Sequence, residues 1–108
     1  MSKILYNVTV SLEPEIHDEW LQWMREKHIP EVLATGCFLE NRMLRILNEE
    51  DNGITYAMQY LAPSMEQYQR YIHEHAPALR GDAEARFANK FAAFRTVLTL
   101  VDHQIVGS

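Results

Sequence analysis

Histidine, asparagine, tryptophan and arginine carry most of the chemistry that this sequence can offer, and their spacing decides which of them can meet. His28 ends a stretch in which Trp20, Trp23 and Met24 recur at helical spacing. An imidazole at the end of such a stripe can line an aromatic pocket and work as an acid or base near neutral pH. The same position suits a plainer use, because a histidine before Ile29-Pro30 can bond the open carbonyls of a helix end, and His75 stands in the matching place before Ala76-Pro77. Asn7 and Thr9 lie on the polar side of an alternating segment. Buried polar groups need partners, so Asn7 and Thr9 either bond one another across a dimer or orient a ligand. Arg42, Arg45 and Arg95 fall in strand-like segments, where an unpaired guanidinium is costly to bury. They either pair with Glu40, Glu49 or a carboxylate across a subunit boundary, or bind an anion; Gln59 has the same two uses. Tyr56, Tyr60, Tyr68 and Tyr71 suit core and interface first and a pocket wall second. The candidate site is therefore His28 and Asn7 as catalytic groups, with Trp20, Trp23, Arg45, Gln59 and Tyr60 around a ligand.

Other chemistries find no support. His73 and His75 are two residues apart and point to different faces of a helix, while His17 and His103 lack partners at ligand spacing, so no metal is expected. There is no Gly-rich phosphate loop, no Gly-x-Ser-x-Gly elbow and no histidine marked out as a haem ligand, and no cofactor is expected. The single cysteine, Cys37, has no intrachain partner and precedes Phe38-Leu39, which fits a small buried hydrophobe in a reducing compartment. A net charge of −5 without a Lys/Arg cluster argues against a nucleic-acid partner. No apolar run has the length of a membrane span, and the N-terminal stretch has no signal-peptide pattern, so the expected location is cytoplasmic, without a membrane partner.

The elements that must position these residues can be read from periodicity. Ile4, Tyr6, Val8, Val10 and Leu12 alternate with Asn7, Thr9 and Ser11, the pattern of a strand with one buried face. Pro14 fits the first turn of a helix whose early acids Glu13, Glu15, Asp18 and Glu19 suit its positive end. Pro30 predicts that this helix breaks near His28, with a short second piece from Pro30 to Thr35 closed by Gly36. Phe38 to Glu49 and Ile54 to Ala62 read as a hairpin around Asn52-Gly53. A helix from about Ser64 to Glu74, a helical piece from Pro77 to about Asn89 and a strand from Ala93 to His103 complete a βαββαβ order. The two halves echo each other: Leu12-Glu13-Pro14 matches Leu61-Ala62-Pro63, and His28-Ile29-Pro30 matches His75-Ala76-Pro77.

This order describes one α+β domain over residues 1–105, with 106–108 as a tail: an antiparallel four-stranded sheet of ferredoxin-like topology with helices on one face. The strands are apolar on both sides. With an even number of residues in the hairpin loop, Met43, Arg45, Leu47, Tyr56, Met58 and Tyr60 share one face and Leu44, Ile46, Ala57, Gln59 and Leu61 the other, while Phe94, Leu98 and Leu100 oppose Val97 and Val101. Helices cover one face only, so a second copy is expected on the other, as a homodimer through the sheet.

The βαββαβ order, with Trp20-x-x-Trp23-Met24, His28-Ile29-Pro30-Glu31-Val32, Ala34-Thr35-Gly36 and Tyr56-Ala57-Met58-Gln59-Tyr60, resembles the dimeric α/β-barrel superfamily. Within it, the chain is most similar to a family of short bacterial proteins known only as a domain of unknown function. The resemblance implies a homodimer whose two sheets close a barrel. It also implies a comparison with the cofactor-independent monooxygenases of the superfamily, in which an asparagine on the first strand and a nearby tryptophan and histidine assist oxygen chemistry; Asn7, Trp20 or Trp23, and His28 would take those places. The first expectation is a homodimer that binds a small hydrophobic or aromatic ligand. The alternatives are a cofactor-independent monooxygenase or isomerase, and a structural or regulatory partner domain.

Overall fold

In the computed structural model, residues 2–47 and 53–107 are described. Strand β1 (Ile4–Leu12) is the centre of the fold, because its alternation buries Ile4, Tyr6, Val10 and Leu12 on one side. It pairs antiparallel with β3 (Ile54–Ala62) on one edge and with β4 (Phe91–Thr99) on the other, and β2 (Glu40–Ile46) pairs outside β3. The sheet order is β2-β3-β1-β4. Register sets Tyr6 opposite Tyr60, Val8 opposite Met58 and Val10 opposite Tyr56, so the buried side chains of three strands share one face. The fold is thus the expected ferredoxin-like α+β arrangement, a four-stranded antiparallel sheet with its helices on one side.

The helical layer departs from expectation at Pro30. After a 3-10 turn at Pro14–Ile16, helix α1 (His17–Trp23) runs through a π-helical turn, Met24–His28, directly into α2 (Ile29–Ala34). The helix widens instead of breaking. Pro30 lacks an N–H, and in α register its ring would press on the carbonyl of Glu26; a wider turn, in which the Ile29 N–H reaches back to the Met24 carbonyl, lets the chain continue. Gly36 ends α2 at a φ of 80°, where a side chain would be strained, as its place after the helix predicts. The second half contributes α3 (Met65–Glu74), capped by the Ser64 hydroxyl that accepts from the Gln67 N–H at 3.2 Å, and α4 (Ala76–Phe87).

Strand ends also differ from the reading of the sequence. β4 starts at Phe91 and stops at Thr99 instead of running from Ala93 to His103, because β1 offers it partners only from Leu12 to Ile4. β2 starts at Glu40, and Phe38 packs in the core, 4.8 Å from the Tyr71 ring centroid. The pairing of Arg45 with Tyr56 and of Ile46 with Thr55 gives the expected division of faces, while the Asn52-Gly53 turn lies outside the described residues.

Among the described residues, no helix covers the second face of the sheet. Leu5, Asn7, Thr9 and Ser11 of β1 are flanked there by Thr55, Ala57, Gln59 and Leu61 and by Ala92, Phe94, Thr96 and Leu98. Phe94 is 63% exposed, and Leu44, Ile46 and Leu98 are each more than 40% exposed.

Candidate functional site

Between the helices and the covered face of the sheet lies a cavity of about 130 Å³. Each wall has a structural cause. The alternation of β1 and its register with β3 and β4 supply the floor: Tyr6, Val8 and Val10, flanked by Met58 and Tyr60 on one side and by Phe91, Ala93 and Arg95 on the other. The first helical run contributes Trp20, Met24, His28 and Val32, at intervals of four that put them on one side of it. Tyr71 comes from α3, and Arg80, Ala83 and Glu84 from α4, one turn apart.

His28 is half-buried and, among the described residues, its side chain makes no hydrogen bond. It stacks on Trp23 at 4.8 Å between centroids and 26° between planes. The π turn causes this, because it aligns residues five apart where an α-helix aligns those four apart. His75 keeps the ordinary spacing and stacks on Tyr71 instead. Neither imidazole bonds a helix-end carbonyl among the described hydrogen bonds, so the capping use is not what this structure shows. Burial pushes the His28 pKa below its ordinary value, more than the nearby carboxylates of Glu31 and Asp82 raise it. The ring is therefore neutral at pH 7, with one nitrogen free to accept a proton.

The hydroxyl groups of the cavity are donors. Burial raises the pKa of Tyr60 and Tyr71, and Tyr6 adds to both shifts. These phenols stay protonated at neutral pH. Tyr6 accepts a hydrogen bond from Arg80 Nη2 at 3.0 Å and joins Phe38, Tyr60, Tyr68 and Tyr71 in an aromatic cluster.

Of the residues singled out from the sequence, the fold brings Trp20, His28 and Tyr60 to this cavity. Trp23 supports His28 from the side and meets Phe87 edge-on at 5.5 Å without lining the space. Arg45 shares the covered face but sits at the outer strand, 5.6 Å over the Tyr56 ring, whose hydroxyl is 2.6 Å from His17 Nε2. Asn7 and Gln59 are register partners on the opposite face of the sheet, where the Asn7 amide donates to the Thr9 hydroxyl at 3.0 Å. The expected set of Asn7, tryptophan and His28 thus does not converge within one protomer, because strand alternation puts odd-numbered β1 residues on the face away from the helices. Arg42 pairs with Glu40 at 3.3 Å, the plainer of its two uses. The sequence reading missed Arg80 and Glu84. Their spacing of four, together with Ala83, marks one side of a helix, but the mixed composition of α4 hides which side turns inward.

Over residues 3–101 the sequence matches the family described as Domain of unknown function (DUF4286). The chain belongs to this family. No curated protein is detectably similar to this DUF4286 domain in sequence. Among solved structures, a dimeric ferredoxin-like protein from an uncultured marine organism is 13% identical, with a TM-score of 0.71 over 96% of this chain and 99% of that one. SnoaB, a cofactor-independent oxygenase from Streptomyces nogalater, is 10% identical, with a TM-score of 0.68 over 100% of both chains. An ethyl tert-butyl ether d (ethd) family protein from Bacillus halodurans is 11% identical, with a TM-score of 0.66 over 86% of this chain and 96% of that one. At these identities the likeness establishes the fold of the DUF4286 domain. Its chemistry has to be argued from the cavity.

Proposed function

We propose that this DUF4286 domain is a homodimer closed through the open face of its sheet, each protomer binding one small hydrophobic or aromatic molecule between sheet and helices. The observation that carries this reading is the division of labour between the two faces: one encloses a cavity, and the other leaves large apolar side chains exposed. Packing the bare faces of two copies would cover Leu44, Ile46, Phe94 and Leu98 and complete a dimeric α/β barrel. A dimeric assembly is also how the marine ferredoxin-like protein is described. The cavity is of a size that admits one aromatic ring, since an apolar space of ~150 Å³ takes up benzene. A cytoplasmic setting agrees with the lone, buried Cys37, and the acidic balance favours neither nucleic acid nor a membrane surface as partner.

Sedimentation at micromolar concentration, combined with thermal shift and tryptophan emission in the presence of indole and benzyl alcohol, tests both halves of the proposal. A dimer is expected, with Tm raised by the aromatic guests and with Trp20 emission altered. Ala93→Phe, which fills the cavity floor, is expected to remove the ligand effect and leave the dimer intact. A monomer would overturn the assembly, and guests that act equally on wild type and Ala93→Phe would remove the cavity.

One observation favours a second reading, catalysis without a cofactor: a neutral imidazole without a hydrogen-bond partner lines the cavity. His28 would act as base on a bound hydrophobic or aromatic substrate. SnoaB shows that the fold hosts such chemistry in another protein. His28→Gln is then expected to abolish turnover while guest binding persists.

A further inference from the structure

The cavity has a charged rim that the aromatic lining does not explain. Arg80 of α4 and Arg95 of β4 both line it, and among the described residues neither forms an ion pair, although Arg42, Arg70, Arg86 and Lys90 all do. Both line the one cavity, from α4 and from β4, together with Tyr71. The Arg80 guanidinium is also held, by its bond to the Tyr6 hydroxyl, so part of the entropy of ordering it is lost before a ligand arrives. Glu84 is one turn from Arg80 and pairs with neither arginine, leaving an excess of positive charge at this rim. Two guanidiniums without carboxylate partners, on a lining otherwise made mainly of aromatic and aliphatic side chains, provide forked donors for a planar anion.

We infer that the ligand of this cavity is a small aromatic or aliphatic carboxylic acid, whose apolar body lies among Trp20, Val8, Val10 and Phe91 and whose carboxylate is held by Arg80 and Arg95. This rests on the binding role proposed above and adds the class of ligand. Glu84 at the same rim disfavours a dianion, which selects a carboxylate over a phosphate ester.

Calorimetric titration of the full chain with benzoate and its neutral isostere benzamide tests the inference. Charge-assisted hydrogen bonds predict that benzoate binds about tenfold or more tighter, and that Arg95→Gln and Arg80→Gln each reduce this preference by weakening benzoate more than benzamide. Arg95→Gln is the safer variant, since Arg95 is exposed and, among the described residues, makes no hydrogen bond or ion pair. Raising the salt concentration in wild type provides a readout without mutation, and the preference is expected to shrink. Equal affinity for benzoate and benzamide would overturn the carboxylate assignment and leave the cavity as a binding site. Failure of both to bind, where indole also fails, would overturn the binding role itself. Phenyl phosphate binding more tightly than benzoate would replace the carboxylate by a phosphate ester.

Discussion

Truncating Phe94 to alanine is the sharpest test of the bare sheet face. In the protomer this ring is 63% exposed, so of the roughly 200 Å² that a phenylalanine can bury, about 120 Å² remains for a partner. At about 25 cal/mol per Å² that area is worth about 3 kcal/mol, and a twofold dimer uses it twice. Alanine keeps about a third of the area, so Phe94→Ala is expected to weaken the dimer by about 4 kcal/mol, or raise its dissociation constant about a thousandfold. The fold of the protomer should survive, because Phe94 points away from the core formed by Tyr6, Met58 and Tyr60. Sedimentation equilibrium across nanomolar to micromolar concentration measures the constant, and far-ultraviolet circular dichroism checks the fold. An unchanged dissociation constant would show that the copies do not meet through this face, and the proposed barrel would fall with it.

Three further outcomes follow from local geometry. Unfolded, the His28 imidazole titrates near 6.5, and burial holds it lower in the folded chain. The unfolded chain therefore binds more protons between those two values, so this contribution is complete above pH 6.5 and is lost as pH falls through the window toward the folded value. The difference in unfolding free energy between wild type and His28→Gln should be flat above pH 7 and decline below it; a flat difference throughout would contradict the burial of the ring. Gly36→Ala should destabilise by about 1 kcal/mol in urea unfolding, because its φ is 80° while the added Cβ would meet only Arg70 Nη2, at 3.7 Å. Ser64→Ala removes the acceptor of the Gln67 N–H and should cost about 1 kcal/mol, with Ser64→Asp retaining most of it.

Much of the scaffold was legible because strands and helices write their exposure into the sequence with different periods. The run Ile4, Tyr6, Val8, Val10, Leu12 can bury one face only as a strand, and its neighbours at Asn7 and Thr9 necessarily face the other way. Trp20, Met24 and His28 at intervals of four announced one side of a helix, and that side does line the cavity. The apolar character of both strand faces was equally plain. What tertiary structure decided is which face the helices would cover: periodicity separates the two sides of a sheet but does not rank them when both are apolar. That choice left Asn7 and Gln59 on the face away from His28 and put Tyr60 on the lining of the cavity that His28 shares. Pro30 shows a second limit. Its missing N–H predicts a disturbance near His28, but only the packed helix determines that the chain widens by one residue per turn instead of ending, and this brings His28 onto Trp23. Arg80 and Arg95 show a third, since they are 15 residues apart on a helix and an edge strand, and no local pattern relates them. Only tertiary packing brings both guanidiniums to the lining of one cavity, because contacts between distant segments are set by how apolar surfaces pack and not by the residues that flank each charge.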